Sequence, residues 1–206
     1  MYVPKHFAED DPARLAALID AHEFATLFTA GDGGPFATHL PLLFEPSRGP
    51  RGTLIGHVAR ANPHWRRFDG RPALAVFAGP HAYVSPRWYK AAPAVPTWNY
   101  VAVHAAGTVR AVEDPAALRA ILDRLAARHE GDGPWRIADQ PENFTAGMMR
   151  AIVGLELAIE TLEGKAKLSQ NRSAADRAGV IEALAASAEA GDRALADAMR
   201  AAEPGG

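Results

Sequence analysis

Two neighbouring stretches decide the fold: Gly79-Pro-His-Ala-Tyr-Val-Ser-Pro-Arg-Trp-Tyr89 and Val95-Pro-Thr-Trp-Asn-Tyr-Val-Ala-Val-His-Ala-Ala-Gly107. Between them they hold two of the four tryptophans, three of the four tyrosines and two of the eight histidines. Side chains on a strand alternate between faces with a period of two. As strands, His81, Tyr83 and Ser85 share one face of the first piece, and Ala82 and Val84 take the other. In the second piece Trp98, Tyr100 and His104 share a face, opposite Val101, Val103 and Val109. One face is therefore apolar and suited to a core. The other is aromatic with hydrogen-bonding tips, suited to a flat ligand, a partner subunit or covering loops.

Working outward, Asp11-Pro12, Asn62-Pro63 and Asp114-Pro115 each read as an N-cap followed by proline at the first helical position. They open helices running to about Ala21, Phe68 and His129. Phe24–Thr29, Pro35–Phe44, Thr53–Ala59, Arg71–Phe77 and Ile152–Leu162 read as strands, with a hairpin turn at Gly31–Gly34. Glu142–Arg150 reads as a short helix. Two alanine-rich amphipathic helices close the chain, one from Ser173 or Ala174 to Ala186 and one from Asp192 to Ala202. Six or seven strands with short turns and helices at the ends suggest a small antiparallel barrel with peripheral helices.

The composition narrows the chemistry. The chain has 206 residues, net charge −2 and no cysteine. Disulfides, thiolate catalysis and cysteine-ligated metal centres are excluded, and no global charge draws the chain to nucleic acid or an anionic membrane. No run reaches membrane-spanning length and the first ten residues lack a signal-peptide core, so a soluble cytoplasmic protein is expected. No P-loop, G-x-G-x-x-G, H-E-x-x-H or G-x-S-x-G motif is present. No pair of histidines has helical ligand spacing, so no metal site is expected, and no side chain stands out as catalytic.

Two clusters remain. Gly56-His-Val-Ala-Arg60-Ala-Asn62-Pro63 sets an arginine at a strand end before a capped helix; it reads either as a phosphate cradle or as a strand-to-helix turn with a solvated arginine. Lys167-Leu-Ser-Gln-Asn-Arg172 reads either as ligand contacts or as capping groups for the helix that follows. From Ser173 to the end, six acidic residues face Arg177, Arg193 and Arg200. A helix-turn-helix there would repel phosphates, so these helices are expected to pack or dimerise rather than bind DNA.

Taken with Met1-Tyr-Val-Pro-Lys-His-Phe7 and Val95-Pro-Thr-Trp-Asn-Tyr100, these blocks resemble the PaiB family of FMN-binding negative transcriptional regulators, in matching order from Met1 to about Asp176. The resemblance implies a mainly β fold, an antiparallel six- to seven-stranded FMN-binding split β-barrel with peripheral helices, similar to pyridoxamine-phosphate oxidases and flavin reductases. It implies a homodimer with FMN at the interface. The domain expected is 1–172, with a C-terminal helical extension over 173–206. By carry-over, Arg60 and Asn62 hold the FMN phosphate with His57 beside it. Tyr83, Ser85, Trp98 and Asn99 approach the ring or ribityl chain, and Lys167, Gln170 and Asn171 close the site. Arg87 departs from the small serine expected there. Two outputs stay open: a regulator of transcription, or an FMN-dependent oxidoreductase acting on a small substrate.

Overall fold

The computed structural model describes residues 1–31 and 33–202. The chain runs β1 (Ala8–Glu9), α1 (Pro12–Ala21), β2 (Phe24–Thr29), β3 (Phe36–Pro41), β4 (Leu43–Glu45), β5 (Thr53–Ala59) and β6 (Asp69–Val84). It continues through β7 (Thr97–Val112), α2 (Pro115–Glu130), α3 (Glu142–Arg150), β8 (Ile152–Lys167), α4 (Ala174–Ala185) and α5 (Ala190–Ala201). The strands follow the order β3-β2-β6-β7-β8-β5-β4, with β1 also pairing β8. The pairings of β2 with β3 and β6, of β5 with β4 and β8, and of β1 with β8 are antiparallel. The expected fold class holds: mainly β, antiparallel, with added helices. No helix among the described residues is long and apolar enough to cross a membrane.

Three strands differ from expectation, each for a local reason. The returning strand expected over 35–44 breaks at Leu42. Pro41 is the last residue facing β2, and the Leu42 N–H turns to the Glu23 carbonyl at 2.9 Å. The chain then changes partner, and Leu43 pairs with Ile55 of β5. The pieces expected at 71–77 and 79–89 merge into one strand, β6, which ends at Val84. Its Pro80 lies beyond the ladder with β2, which covers only Ala73–Val76, so the missing N–H takes no bond from that side. Strand β8 runs past Leu162 to Lys167, which turns Lys165 and Lys167 from loop residues into strand residues. The expected turn at Gly31–Gly34 includes Asp32, which lies outside the described residues; the Gly34 N–H donates to the Gly31 carbonyl at 2.8 Å.

Two compact units emerge. The first comprises Met1–Leu18, Ala78–Val103 and the chain from Glu163 onward; the second comprises Ile19–Phe77 and His104–Leu162. In the first, Ala82 and Val84 of β6, Val101 of β7 and Leu168 pack with Val180, Ile181 and Leu184 of α4 and with Leu195, Ala196 and Met199 of α5. Each large apolar side chain so buried stabilises by about 1.5–3 kcal/mol. The carboxylate of Asp176, in the first turn of α4, accepts from the N–H groups of Lys90 at 2.7 Å and Ala91 at 3.0 Å. Those donors, the Ala91 N–H foremost, hold its pKa below the ordinary carboxylate value. In the second unit Ile55, Ile121 and Leu125 form a core joined by Leu43 and Val112. There β7 and β8 approach so closely at Gly107 that a Cβ would lie 1.9 Å from the Ala158 carbonyl oxygen.

Candidate functional site

The alternation read from β6 and β7 is realised in the first unit. Ala82, Val84, Val101 and Val103 are buried, while Tyr83 and Trp98 are 46% and 54% exposed. The two rings meet edge to face with centroids 6.4 Å apart, and His81 tilts against Trp98 at 6.3 Å. The His81 Nδ1 lies 3.2 Å from the Gly79 carbonyl. Large aromatics left this exposed on a sheet face mark a candidate binding surface, where one ring can stack on a planar ligand while the other meets its edge. On the same face of β7, Tyr100 lies 5.0 Å from the ammonium of Lys165. Lys167 donates from Nζ to the Thr97 hydroxyl. Burial lowers the Lys167 pKa, the neighbouring Tyr100 opposes that shift, and the charge of Lys165 adds to it.

Of the other residues expected in this part of the chain, Asn99, Ser85 and Gln170 make hydrogen bonds within it. Asn99 has the opposite parity to Trp98 and is fully buried on the side of α5. Its Nδ2 donates to the Ser169 hydroxyl at 2.9 Å and approaches the Met199 sulfur at 3.7 Å. Its Oδ1 is buried without a hydrogen-bond partner among the described residues. Ser169 sits at φ 64°, a left-handed conformation uncommon for a residue with a side chain. Ser85 is buried just past β6 and accepts from the Arg87 N–H and Nε at 3.3 and 3.2 Å. Arg87, where a small serine was expected, thus folds back onto the chain. Gln170 closes its own loop, accepting from the Leu168 N–H at 2.7 Å and donating to the Ala166 carbonyl at 2.5 Å. Asn171 is exposed.

His57, Arg60 and Asn62 lie in the second unit. Arg60 makes three bonds: Nε and Nη2 donate to the carbonyls of Arg150 at 3.0 Å and Ile152 at 3.2 Å, and Nη1 to Glu113 at 2.8 Å. Its guanidinium also lies 5.6 Å from the Trp65 ring centre. Asn62 caps the short helix Pro63–Arg67, accepting from the His64 N–H at 3.0 Å, and donates to the Thr38 hydroxyl at 3.1 Å. His57 Nδ1 is buried without a partner among the described residues, and burial lowers its pKa, so the ring is neutral. Below them His64 is wholly enclosed, its two ring nitrogens 2.9 Å from the Thr29 hydroxyl and 2.8 Å from that of Thr38.

Residues 1–161 match the family model described as "Putative FMN-binding domain". The chain belongs to this FMN-binding family. FMN is accordingly its cofactor. Within the family, the protease synthase and sporulation protein PAI 2 of Bacillus subtilis is 35% identical over 188 residues, 89% of each chain. An uncharacterized protein of Emericella nidulans is 30% identical over 223 residues, covering 88% of this chain and 89% of its own. Two solved structures share the fold. The flavocytochrome Anf3 of Azotobacter vinelandii has a TM-score of 0.65 at 18% identity, covering 86% of this chain and 78% of its own. An FAD and heme binding protein of Mycobacterium smegmatis has a TM-score of 0.59 at 22% identity, covering 83% and 78%.

The residues present fit the cofactor of this family. Tyr83 and Trp98 offer exposed aromatic surface, and Lys165 at Tyr100 and Lys167 with the Thr97 hydroxyl bring cationic and polar groups close by. Tyr2, Thr97 and Lys165 were not singled out by sequence reasoning, and Tyr100 was placed on the aromatic face without a role of its own. The period of two, continued past Leu162 through Lys165 and Lys167, is the signal that places the two lysines together. Bound FMN supplies hydride and one-electron chemistry, which leaves the chain to bind, orient and shield it.

Proposed function

We propose that the protein is a homodimer that holds FMN against the aromatic face of its first unit and conveys flavin occupancy or redox state to a transcriptional output. The observation that carries this reading is the exposure of Tyr83 and Trp98 on a sheet face whose opposite side is fully packed. The name of the Bacillus subtilis relative, drawn from protease synthesis and sporulation, supports a regulatory output. Direct DNA contact through α4 and α5 is disfavoured by the six acidic residues against three arginines from Ser173 onward. A phosphate role for Arg60 and Asn62, with His57 beside them, rests on the resemblance; there the phosphate would compete with Glu113 for the Arg60 guanidinium. An oxidoreductase is the second reading. It is favoured by the open rings of Tyr83 and Trp98, which leave room for a small reductant to reach a flavin bound there.

The test is the visible spectrum of the purified protein before and after adding FMN and desalting, alongside Trp98→Ala. A flavin band should travel with the wild type, and the variant should lose about 1 kcal/mol of FMN affinity. Equal retention by both would remove Trp98 from the site. Bleaching by NADH with turnover on an added acceptor would favour the oxidoreductase, and a salt-sensitive DNA titration would favour direct regulation.

A further inference from the structure

Lys165 is the least expected charge in the molecule. It is 6% exposed, and its Nζ donates to the Tyr2 carbonyl at 3.0 Å. The ammonium lies over the rings of Tyr2 at 5.4 Å and Tyr100 at 5.0 Å. Among the described residues it makes no ion pair. Lys167, two residues along the same face of β8, also has no ion pair there and donates only to the Thr97 hydroxyl. The next residue on that face, Glu163, is taken by the N-terminal ammonium of Met1 at 2.5 Å. Burying an ammonium without a counter-charge is costly, and setting a second one beside it adds repulsion. Aromatic faces and a carbonyl offset part of that cost. Each ammonium has three donors and spends one on a protein oxygen, so four remain for a ligand.

We infer that Lys165 and Lys167 form an anion site for a phosphate monoester, at the edge of the aromatic platform. A dianion with three terminal oxygens would use the spare donors and neutralise both charges at once, which a single carboxylate would not. Adjacent strands lie about 4.8 Å apart, so the lysines on β8 stand roughly 10 Å across the sheet from Tyr83 on β6, with Trp98 and Tyr100 of β7 between them. A flavin ring resting on this face would leave the lysines within reach of its ribityl phosphate. This assignment rests on the placement of the flavin ring proposed above, and for the FMN phosphate it is the alternative to Arg60 and Asn62. The phosphate is either that of FMN or that of a phosphorylated second ligand, and the two sources are separable.

The experiment uses the full chain as wild type, Lys165→Met and Lys167→Met. FMN and riboflavin, which share the ring and differ in the phosphate, are titrated by fluorescence, and thermal melting is followed with and without inorganic phosphate. Each substitution should weaken FMN by roughly tenfold or more while leaving riboflavin within about twofold. Lys165→Met should melt at or above the wild-type temperature, because it removes a buried unpaired charge and keeps the volume. If the FMN-to-riboflavin ratio is unchanged but inorganic phosphate raises the melting temperature of the wild type and not of the variants, the site stands and serves a second ligand. An unchanged ratio together with no phosphate effect on the wild type overturns the inference. A purely scaffolding lysine would instead lower the melting temperature and weaken both flavins equally, which also overturns it. Should the wild type bind neither flavin, the FMN placement falls, and the phosphate-dependent melting still decides the anion site.

Discussion

Acid should unfold this protein through His64, and the size of the effect follows from its surroundings. The ring is enclosed between Thr29 and Thr38, with the rings of Phe36 at 4.7 Å and Phe68 at 4.9 Å. Burial, with a smaller contribution from the charge of Arg67, lowers its pKa from 6.5 to about 4. The unfolded chain therefore binds a proton on this residue at a pH where the folded chain does not. Stability from His64 is complete above the unfolded pKa of 6.5 and is lost as the pH falls toward about 4. Integrated between about pH 7.5 and about pH 4.5, the loss is roughly 2.5 kcal/mol. Urea unfolding at a series of pH values measures it. His22 and His57 are shifted in the same direction by burial, so the informative quantity is the difference from His64→Gln, which keeps polar groups near both threonines and does not titrate. The variant's stability should fall less steeply with acid, by that amount. Parallel curves for wild type and variant would refute the argument.

Two further outcomes are expected. Gly107→Ala should destabilise by about 1–3 kcal/mol in thermal or urea melts, since its Cβ would overlap the Ala158 carbonyl and the strands must part; a neutral result would mean that β7 and β8 separate freely there. Arg60→Ala should lower stability by about 1–3 kcal/mol, because the carbonyls of Arg150 and Ile152 and the carboxylate of Glu113 lose their shared donor. If FMN affinity falls in that variant while its unfolding midpoint holds, the phosphate belongs to Arg60 after all.

Much of the fold was legible because its signals are local. The capped helix starts at Asn62 and Asp114 and the alternation in β7 depend only on neighbours along the chain. That alternation already set Asn99 apart from Trp98 and Tyr100, and the structure places it on the buried side. What the sequence hid is long-range. Arg60 at a strand end looks like a waiting phosphate fork; the groups that occupy it are 53, 90 and 92 residues away. Lys165 fell outside the strand expected over Ile152–Leu162. Only the pairing of Ala8 with Lys165 shows that β8 continues there. Ser85 and Gln170 satisfy their own loops with bonds two to four residues long, which a motif shared by relatives does not distinguish from ligand contacts.

The segment Trp98–Val103 writes two messages in one string of letters, the even positions addressing the ligand face and the odd positions the packed interior. Substitutions can edit either message alone. Insertions and deletions cannot: dropping one residue between Thr97 and Val103 would send Asn99 or Val101 outward and drive Trp98 or Tyr100 into the helices. Over evolutionary time this stretch is therefore free to drift in spelling and frozen in length, and length variation among relatives belongs instead in the loops on either side of it.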